Sequence, residues 1–290
     1  MSSVLAQTLD PPATLTGPSA LEIAARTASR RRQRIVVTAR IGILVAVLGG
    51  WELGTRFGAI DPFFFANPSG IAAQVWIWVT EGTSQGPLWE QILVTMEETV
   101  LGFFIGAAGG VVFGILLGRN RMLADIFSTY IKVANSIPRV VLGSIFIIAF
   151  GLGMASKVAL AVVMVFFVVF ANAFQGVREA DRAMIANAQI LGASNYQITR
   201  TVIIPSAMSW ILASLHVSFG FALVGAVVGE FLGAKKGVGL LISTAQGSFN
   251  ADGVFAAMVI LAVLALAVEA AITLVENRFV KWRPAPFDGQ

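Results

Sequence analysis

The sequence predicts an all-α membrane protein with six transmembrane helices, and three observations support this fold class. The chain is 57% hydrophobic and only 12% charged, with a mean hydropathy of +0.81. The charged share is about half of that in soluble proteins, so one globular core cannot absorb the apolar surface. The apolar residues gather in segments of about 20 residues, the length that crosses a bilayer as a helix. Basic residues lie beside the ends of these segments.

Six apolar segments are predicted to span the membrane. They comprise residues 36–57, 100–118, 137–153, 158–174, 207–232 and 254–275. The third and fourth are short, and the GLGMASK sequence between them predicts a tight hairpin. Residues 62–78 are interrupted near Gly70, so we expect an interfacial helix there, capped by Asn67 or Ser69. GVGLLISTAQGSF, before the last span, predicts a short re-entrant or surface segment.

The lysine and arginine residues predict the orientation. With the N-terminus inside, sixteen of the twenty lie at the cytoplasmic ends of the spans, and Arg56, Lys157, Lys235 and Lys236 lie outside. Cytoplasmic loops of membrane proteins carry such an excess. Both termini are therefore predicted to be cytoplasmic.

Three regions make up the predicted domain organisation. Residues 1–35 contain several prolines and the sequence RRRQR, and they predict a disordered basic cytoplasmic tail. Residues 36–282 form the transmembrane domain, and residues 283–290 form a short cytoplasmic tail. The basic residues of the tails meet anionic lipid in this interpretation.

Composition also excludes several classes of function. The chain has no cysteine and a single histidine, His216, which argues against a metal site, a thiol nucleophile or an intramembrane hydrolase with a serine–histidine pair. A pI of about 9.8 does not predict nucleic-acid binding, because the basic residues form no single face. No catalytic residue is therefore assigned.

The polar stretch EADRAMIANAQILGASNYQITRTVIIP, residues 179–205, lies between two strongly apolar segments. Its pattern predicts a short helix, a break at Gly192 and a second short helix that ends at Pro205. The predicted orientation places the stretch in the cytoplasm. A polar loop of this kind on a membrane protein is suited to docking a soluble partner.

This stretch resembles the cytoplasmic signature loop of bacterial ABC importer permeases. That loop has an acid-alanine-alanine triplet, and Gly192, Ile204 and Pro205 fall at its later positions. The resemblance covers roughly residues 51–282 and includes WELGTRFG, NPSGIAAQVW, SIPRVVLGSIFIIAFGLG and VVGEFLGAKKGVGLLISTAQ. Together these motifs look most like the branch that imports nitrate, sulfonates, taurine, bicarbonate or thiamine-precursor pyrimidines.

The resemblance implies a permease subunit of the bacterial inner membrane, with a coupling helix that sits in a groove of an ATPase. Two cytosolic ABC ATPases, an extracytoplasmic solute-binding protein and a second permease copy are the implied partners. ATP and Mg would be bound by the ATPase, because this chain has no GxxxxGK[ST] loop and needs no cofactor of its own. The implied coupling residues are Ala186, Asn187, Ala188, Leu191, Gly192, Ala193, Ser194 and Pro205.

The chain departs from the family pattern at several positions. Ala186 stands where the triplet has its acid, and Glu98 stands where a basic residue is common. Leu142 and Ser144 replace a frequent tryptophan and proline in the third span. The earlier Glu179 is not assigned the role of the missing acid.

Four polar residues of the spans are candidates for the translocation path: Ser144, Asn172, Ser218 and Glu230. A carboxylate in hydrocarbon usually faces a bundle interior or a watery cavity, which favours a cavity or gate role for Glu230. The equal alternative is an outer-end carboxylate paired with Lys235 or Lys236. His216 is expected to serve helix packing rather than ligand binding.

Six glycines crowd the second span at positions 102, 106, 109, 110, 114 and 118. Their small-xxx-small spacing predicts a helix-packing seam. A phosphate-binding loop is not expected, since no strand precedes them.

A self-sufficient secondary carrier or channel is the rival function. It would predict ionisable residues in several span centres, broken helices or paired repeats. The sequence shows few such residues and no visible repeat.

Overall fold

The computed structural model describes residues 20–279, and its regular structure is helical apart from one isolated bridge between Thr83 and Gly86. Twelve α-helices and one π-helical turn, Thr199–Ile203, make up this part of the chain. The α-helices are α1 Ala20–Arg56, α2 Pro62–Phe65, α3 Pro68–Thr80, α4 Leu88–Arg119, α5 Arg121–Ser136, α6 Arg139–Phe150, α7 Met154–Arg178, α8 Arg182–Ile190, α9 Asn195–Ile198, α10 Ile204–Leu232, α11 Val238–Gly247 and α12 Ala251–Phe279.

Within the described residues, five helices are long and apolar enough to cross a membrane. The count is six if α5 and α6 are taken as one broken span. The predicted all-helical membrane fold is confirmed, and the predicted six spans agree with this second count.

Helix α1 belongs to a first compact unit that ends at Ile60. It begins at Ala20, inside the segment predicted as a disordered tail, because residues 20–35 are rich in helix-forming alanine and arginine and contain no proline. Near its end, Arg56 Nε donates to Glu52 Oε1 at 2.8 Å. Residues 1–19 and the predicted tail at 283–290 lie outside the described residues.

The second unit is centred on α4, α7 and α10. The predicted glycine seam of α4 is confirmed, and it lies against α7. A Cβ atom at Gly106 would come within 2.7 Å of the Val162 carbonyl oxygen, and one at Gly114 within 3.0 Å of the Phe170 carbonyl oxygen. Only glycine permits the two backbones to approach so closely.

The predicted third span, 137–153, is wrong as a single straight helix. Helix α6 has only 12 residues, about 18 Å at 1.5 Å per residue, which is shorter than the roughly 30 Å hydrocarbon core. A bend of 85° separates it from α5. The cause is local: Ile137 precedes Pro138, which disfavours the α conformation at Ile137, and this residue is extended with ψ 125°.

The predicted interfacial helix at 62–78 is two helices, α2 and α3. Asn67 is the N-cap of α3, and its Oδ1 accepts from the Gly70 N–H at 2.6 Å, so the Asn67 alternative is confirmed. The segment before the last span forms α11, and its Val238, Leu241 and Ala245 are buried. It is therefore an inserted helix and not a surface one.

Candidate functional site: an exposed helical segment and a buried polar cluster

The stretch between α7 and α10 forms the segment that we call the α8–α9 segment, residues 182–203. Helix α8 begins after Asp181, whose carboxylate accepts from the Ala183 N–H at 2.8 Å. It ends at Leu191, and Gly192 follows with φ +78°. This left-handed conformation costs glycine little and lets the chain turn at once. The predicted helix and glycine break are both present.

The second half of the segment differs from the prediction. Helix α9 has only four residues, and it starts with a capping box between Ser194 and Gln197. It continues through the π-helical turn into α10, so no helix ends at Pro205. Pro205 lies two residues after this π-helical turn, as the second residue of α10, where the hydrogen-bond pattern already departs from that of an α-helix and the missing N–H of proline is accommodated. The prediction of an end at Pro205 was wrong for that reason.

The α8–α9 segment presents apolar side chains outward. Met184, Ile190 and Leu191 are 57%, 82% and 85% exposed, and Tyr196 is 70% exposed. Of the eight predicted coupling residues, six are exposed and two are half-buried. The exposed ones are Ala186, Asn187, Leu191, Gly192, Ser194 and Pro205, and the half-buried ones are Ala188 and Ala193. The segment is thus a surface that its own chain leaves largely uncovered.

The four predicted path residues lie on three helices, α6, α7 and α10. Ser144 on α6 is exposed, whereas Ser218 is buried and donates to the Ser214 carbonyl at 2.6 Å. Asn172 Nδ2 donates to the Val168 carbonyl at 2.9 Å. In the part of the chain that is described, no hydrogen bond joins any two of these four.

Glu230 is fully buried and belongs to a cluster at the N-terminus of α11. Its Oε1 accepts from Thr95 Oγ1 at 2.7 Å, and its Oε2 accepts from the Gly239 N–H at 2.7 Å. The alternative prediction paired Glu230 with Lys235 or Lys236. Lys236 Nζ instead donates to Glu90 at 2.8 Å, and the Glu230 carboxylate accepts from Thr95 and Gly239.

We call the full set of side chains around Glu230 the buried polar cluster. Its members each expose 3% or less of their surface: Gln91, Thr95, Glu98, Lys157 and Glu230. Sequence reasoning assigned a site role only to Glu230; it noted Glu98 as a departure from the family pattern and Lys157 as a residue of the outer side, and it did not single out Gln91 or Thr95. A signal was available, because Gln91, Thr95 and Glu98 recur at four- and three-residue spacing on one face of α4.

His216 and Glu269 join two helices elsewhere in the unit. His216 Nε2 lies 3.7 Å from Glu269 Oε1, which links α10 to α12 and agrees with the packing role expected for His216. Among the described residues no group of three or more histidine, cysteine or acidic side chains could hold a metal ion.

The fold and these sites define a multi-pass helical membrane protein with an exposed helical segment between two of its spans. The sequence profile of the binding-protein-dependent transport system inner membrane component matches residues 110–281. The chain belongs to this family, whose members are transport permeases of the inner membrane.

Individual relatives agree with this assignment. The putative aliphatic sulfonates transport permease protein SsuC of Bacillus subtilis is 31% identical over 241 residues, which cover 83% of this chain and 85% of the relative. The taurine transport system permease protein TauC of Escherichia coli is 27% identical and covers 85% of this chain and 90% of its own length. The resemblance inferred from the sequence is confirmed.

The fold also has a counterpart among solved structures. An inward-facing conformation of the MetNI methionine ABC transporter superposes with a TM-score of 0.59 at 19% identity. The match covers 70% of this chain and 97% of the matched chain.

Proposed function

We propose that this chain is the membrane-spanning subunit of an ATP-driven, binding-protein-dependent importer. In this proposal two copies of the chain form the pathway and two cytosolic ATPases bind beneath it. An extracytoplasmic solute-binding protein delivers the cargo. Both termini and the α8–α9 segment face the cytoplasm.

The exposed apolar surface of the α8–α9 segment is the observation that carries the proposal. Ile190 is the last residue of α8 and Leu191 caps its end, and each has more than four-fifths of its surface exposed. Large apolar side chains grouped on a surface mark protein or membrane contacts. On a loop between spans that is flanked by Arg178 and Arg200, the positive-inside rule favours a cytosolic protein as the partner.

Coupling then follows from the way the segment is connected. It joins α7 directly, and it continues through the π-helical turn into α10 without a helix break. A partner that moves the segment when it closes on ATP would therefore move the inner ends of two spans together. Such movement of packed helices is a known route between inward- and outward-facing states. ATP and Mg belong to the partner in this scheme.

The cargo is proposed to be a small anionic or polar solute. The support is that relatives of the chain are named as permeases for aliphatic sulfonates, taurine and formylaminopyrimidine. Ser144 is the candidate path residue with an exposed side chain. Ser218 and Glu230 are buried within their own chain, so they would meet cargo only after a rearrangement of the helices.

The test uses purification of the tagged full chain from its host membrane in mild detergent. We expect an ATPase in equal amount, and we expect Gly192→Asp to lose it while remaining in the membrane. Gly151→Asp is the matched control, because Gly151 has φ +77° and no atom within 4 Å of an added Cβ, as at Gly192. The control should retain the ATPase.

Two outcomes would contradict the proposal. Equal ATPase recovery with Gly192→Asp would remove the docking role of the α8–α9 segment. Uptake by the chain alone in liposomes, without ATP or any partner, would favour the secondary carrier.

A further inference from the structure

The buried polar cluster contains two carboxyl groups but only one lysine to balance their charge. Glu98, Lys157 and Glu230 come from three helices, α4, α7 and α10, and each exposes at most 3% of its surface. Two ionised carboxylates and one ammonium would leave one net negative charge in this buried space. An uncompensated buried charge is strongly unfavourable.

The hydrogen bonds distinguish the two carboxyl groups. Glu230 accepts from Thr95 Oγ1 and from the Gly239 N–H, both at 2.7 Å. Glu98 Oε2 is equally buried, but no donor of the described structure reaches it. An ionised carboxylate only accepts hydrogen bonds, whereas a protonated one can donate. Glu98 is therefore the group whose surroundings suit the acid form.

The two carboxyl groups also lie within hydrogen-bonding reach of each other. Two ionised carboxylates cannot form a hydrogen bond, since neither has a hydrogen to donate. One proton between them supplies the missing donor. It also reduces the charge of the three groups to zero.

Lys157 does not replace that proton as a donor. Its Nζ donates to the carbonyl oxygens of Leu152 and Gly153 at 2.8 and 3.2 Å. These bonds hold the ammonium at the turn before α7, where its charge still acts on both carboxyl groups. The remaining acidic neighbour, Glu97, points outward on α4.

The cluster also holds the N-terminus of α11. The N–H groups of Gly237, Val238 and Gly239 donate to Gln91 Oε1, Thr95 Oγ1 and Glu230 Oε2 at 2.8, 2.9 and 2.7 Å. The first N–H groups of a helix have no partner within it, and here side chains of α4 and α10 satisfy them. Glycine is required at two of these positions, because an added Cβ at Gly237 or Gly239 would meet the Glu230 side chain.

We propose that Glu98 and Glu230 form a proton-binding site in which protonated Glu98 donates a hydrogen bond to ionised Glu230. Thr95, Lys157 and the N-terminus of α11 complete the site. The bound proton keeps the site neutral and holds Glu230 in place as the anchor of α11. The site is separate from the α8–α9 segment, and its existence does not depend on which solute is transported.

Infrared spectroscopy of the full chain in lipid nanodiscs at neutral pH tests the site. We expect the C=O stretching band of a buried carboxylic acid in the wild type, shifted by H/D exchange. Glu98→Gln should abolish that band, and Glu97→Gln, the exposed neighbour on the same helix, should leave it unchanged. An absent wild-type band, or a band that persists in Glu98→Gln, would overturn the proposal.

A second measurement separates the roles of the two carboxyl groups. Glutamine has the shape of protonated glutamic acid and its amide can donate a hydrogen bond, so Glu98→Gln should retain the wild-type thermal midpoint. It should also retain slow hydrogen exchange over residues 237–247. Glu230→Gln should lower the midpoint and raise exchange in α11 at least tenfold. Equal effects of the two substitutions would contradict the assignment of the proton to Glu98.

Discussion

The close packing of α4 against α7 at the glycine seam predicts how much Gly110→Ala lowers the free energy of unfolding. The added Cβ would lie 2.8 Å from Val169 Cβ and 2.9 Å from both the Phe166 carbonyl oxygen and the Phe170 nitrogen. Two of these three atoms belong to the backbone of α7, so a side-chain rotation cannot relieve the overlap. The helices must separate instead, and overpacking of this kind costs about 1–3 kcal/mol.

Gly220→Ala is the matched control for this substitution. Gly220 lies in α10, and an added Cβ there meets no atom within 4 Å. Alanine favours a helix over glycine by about 1 kcal/mol, and this gain is common to both variants and cancels when they are compared. Gly110→Ala should therefore be about 1–3 kcal/mol less stable than Gly220→Ala.

The assay is reversible unfolding of both full-length variants in mixed micelles, followed by the helical circular dichroism signal. The difference between their free energies of unfolding is the measured quantity. If Gly110→Ala is as stable as Gly220→Ala or more so, the close approach of α4 and α7 is refuted.

Three further predictions concern the exposed segment, a helix cap and a surface ion pair. Leu191→Lys should leave the unfolding free energy unchanged but weaken binding of the purified ATPase about tenfold to a hundredfold, since burial of a leucine contributes ~1.5–3 kcal/mol; an unchanged titration would exclude Leu191 from the contact. Asn67→Ala removes the acceptor for the Gly70 N–H and should cost about 0.5–2 kcal/mol, seen as faster hydrogen exchange at the start of α3. Lys236→Ala breaks a half-exposed pair with Glu90 and should change the unfolding free energy by less than ~1 kcal/mol; a larger loss would show that the pair is shielded from water.

Local features of the sequence predicted much of what the structure shows. Asn67 precedes a proline and a small residue, and side-chain capping acts over three residues, so the start of α3 was predictable. The left-handed turn at Gly192 follows from glycine itself. The seam glycines of α4 repeat every four residues, and this spacing by itself puts them on one helix face.

Two features set by backbone conformation beside a proline were not predicted. The bend between α5 and α6 was missed because residues 137–153 are apolar enough for a span, and hydropathy does not register the conformation of Ile137. The continuation of α9 into α10 was missed because a proline usually ends a helix or stands in its first turn, and only the structure shows that a π-helical turn before Pro205 keeps the helix continuous.

The sequence by itself determined that this protein is a multi-span helical membrane protein of the importer permease family. Composition, span length and ordered motifs are properties of the chain alone, so they needed no coordinates. The tertiary structure alone decided what Glu230 does. Its neighbours Thr95, Lys157 and Gly239 come from α4, α7 and the first turn of α11, and residues so far apart in sequence meet only when the helices pack. The glycine seam is what permits that packing, because it lets α4 and α7 approach closely enough to bury charged groups between them.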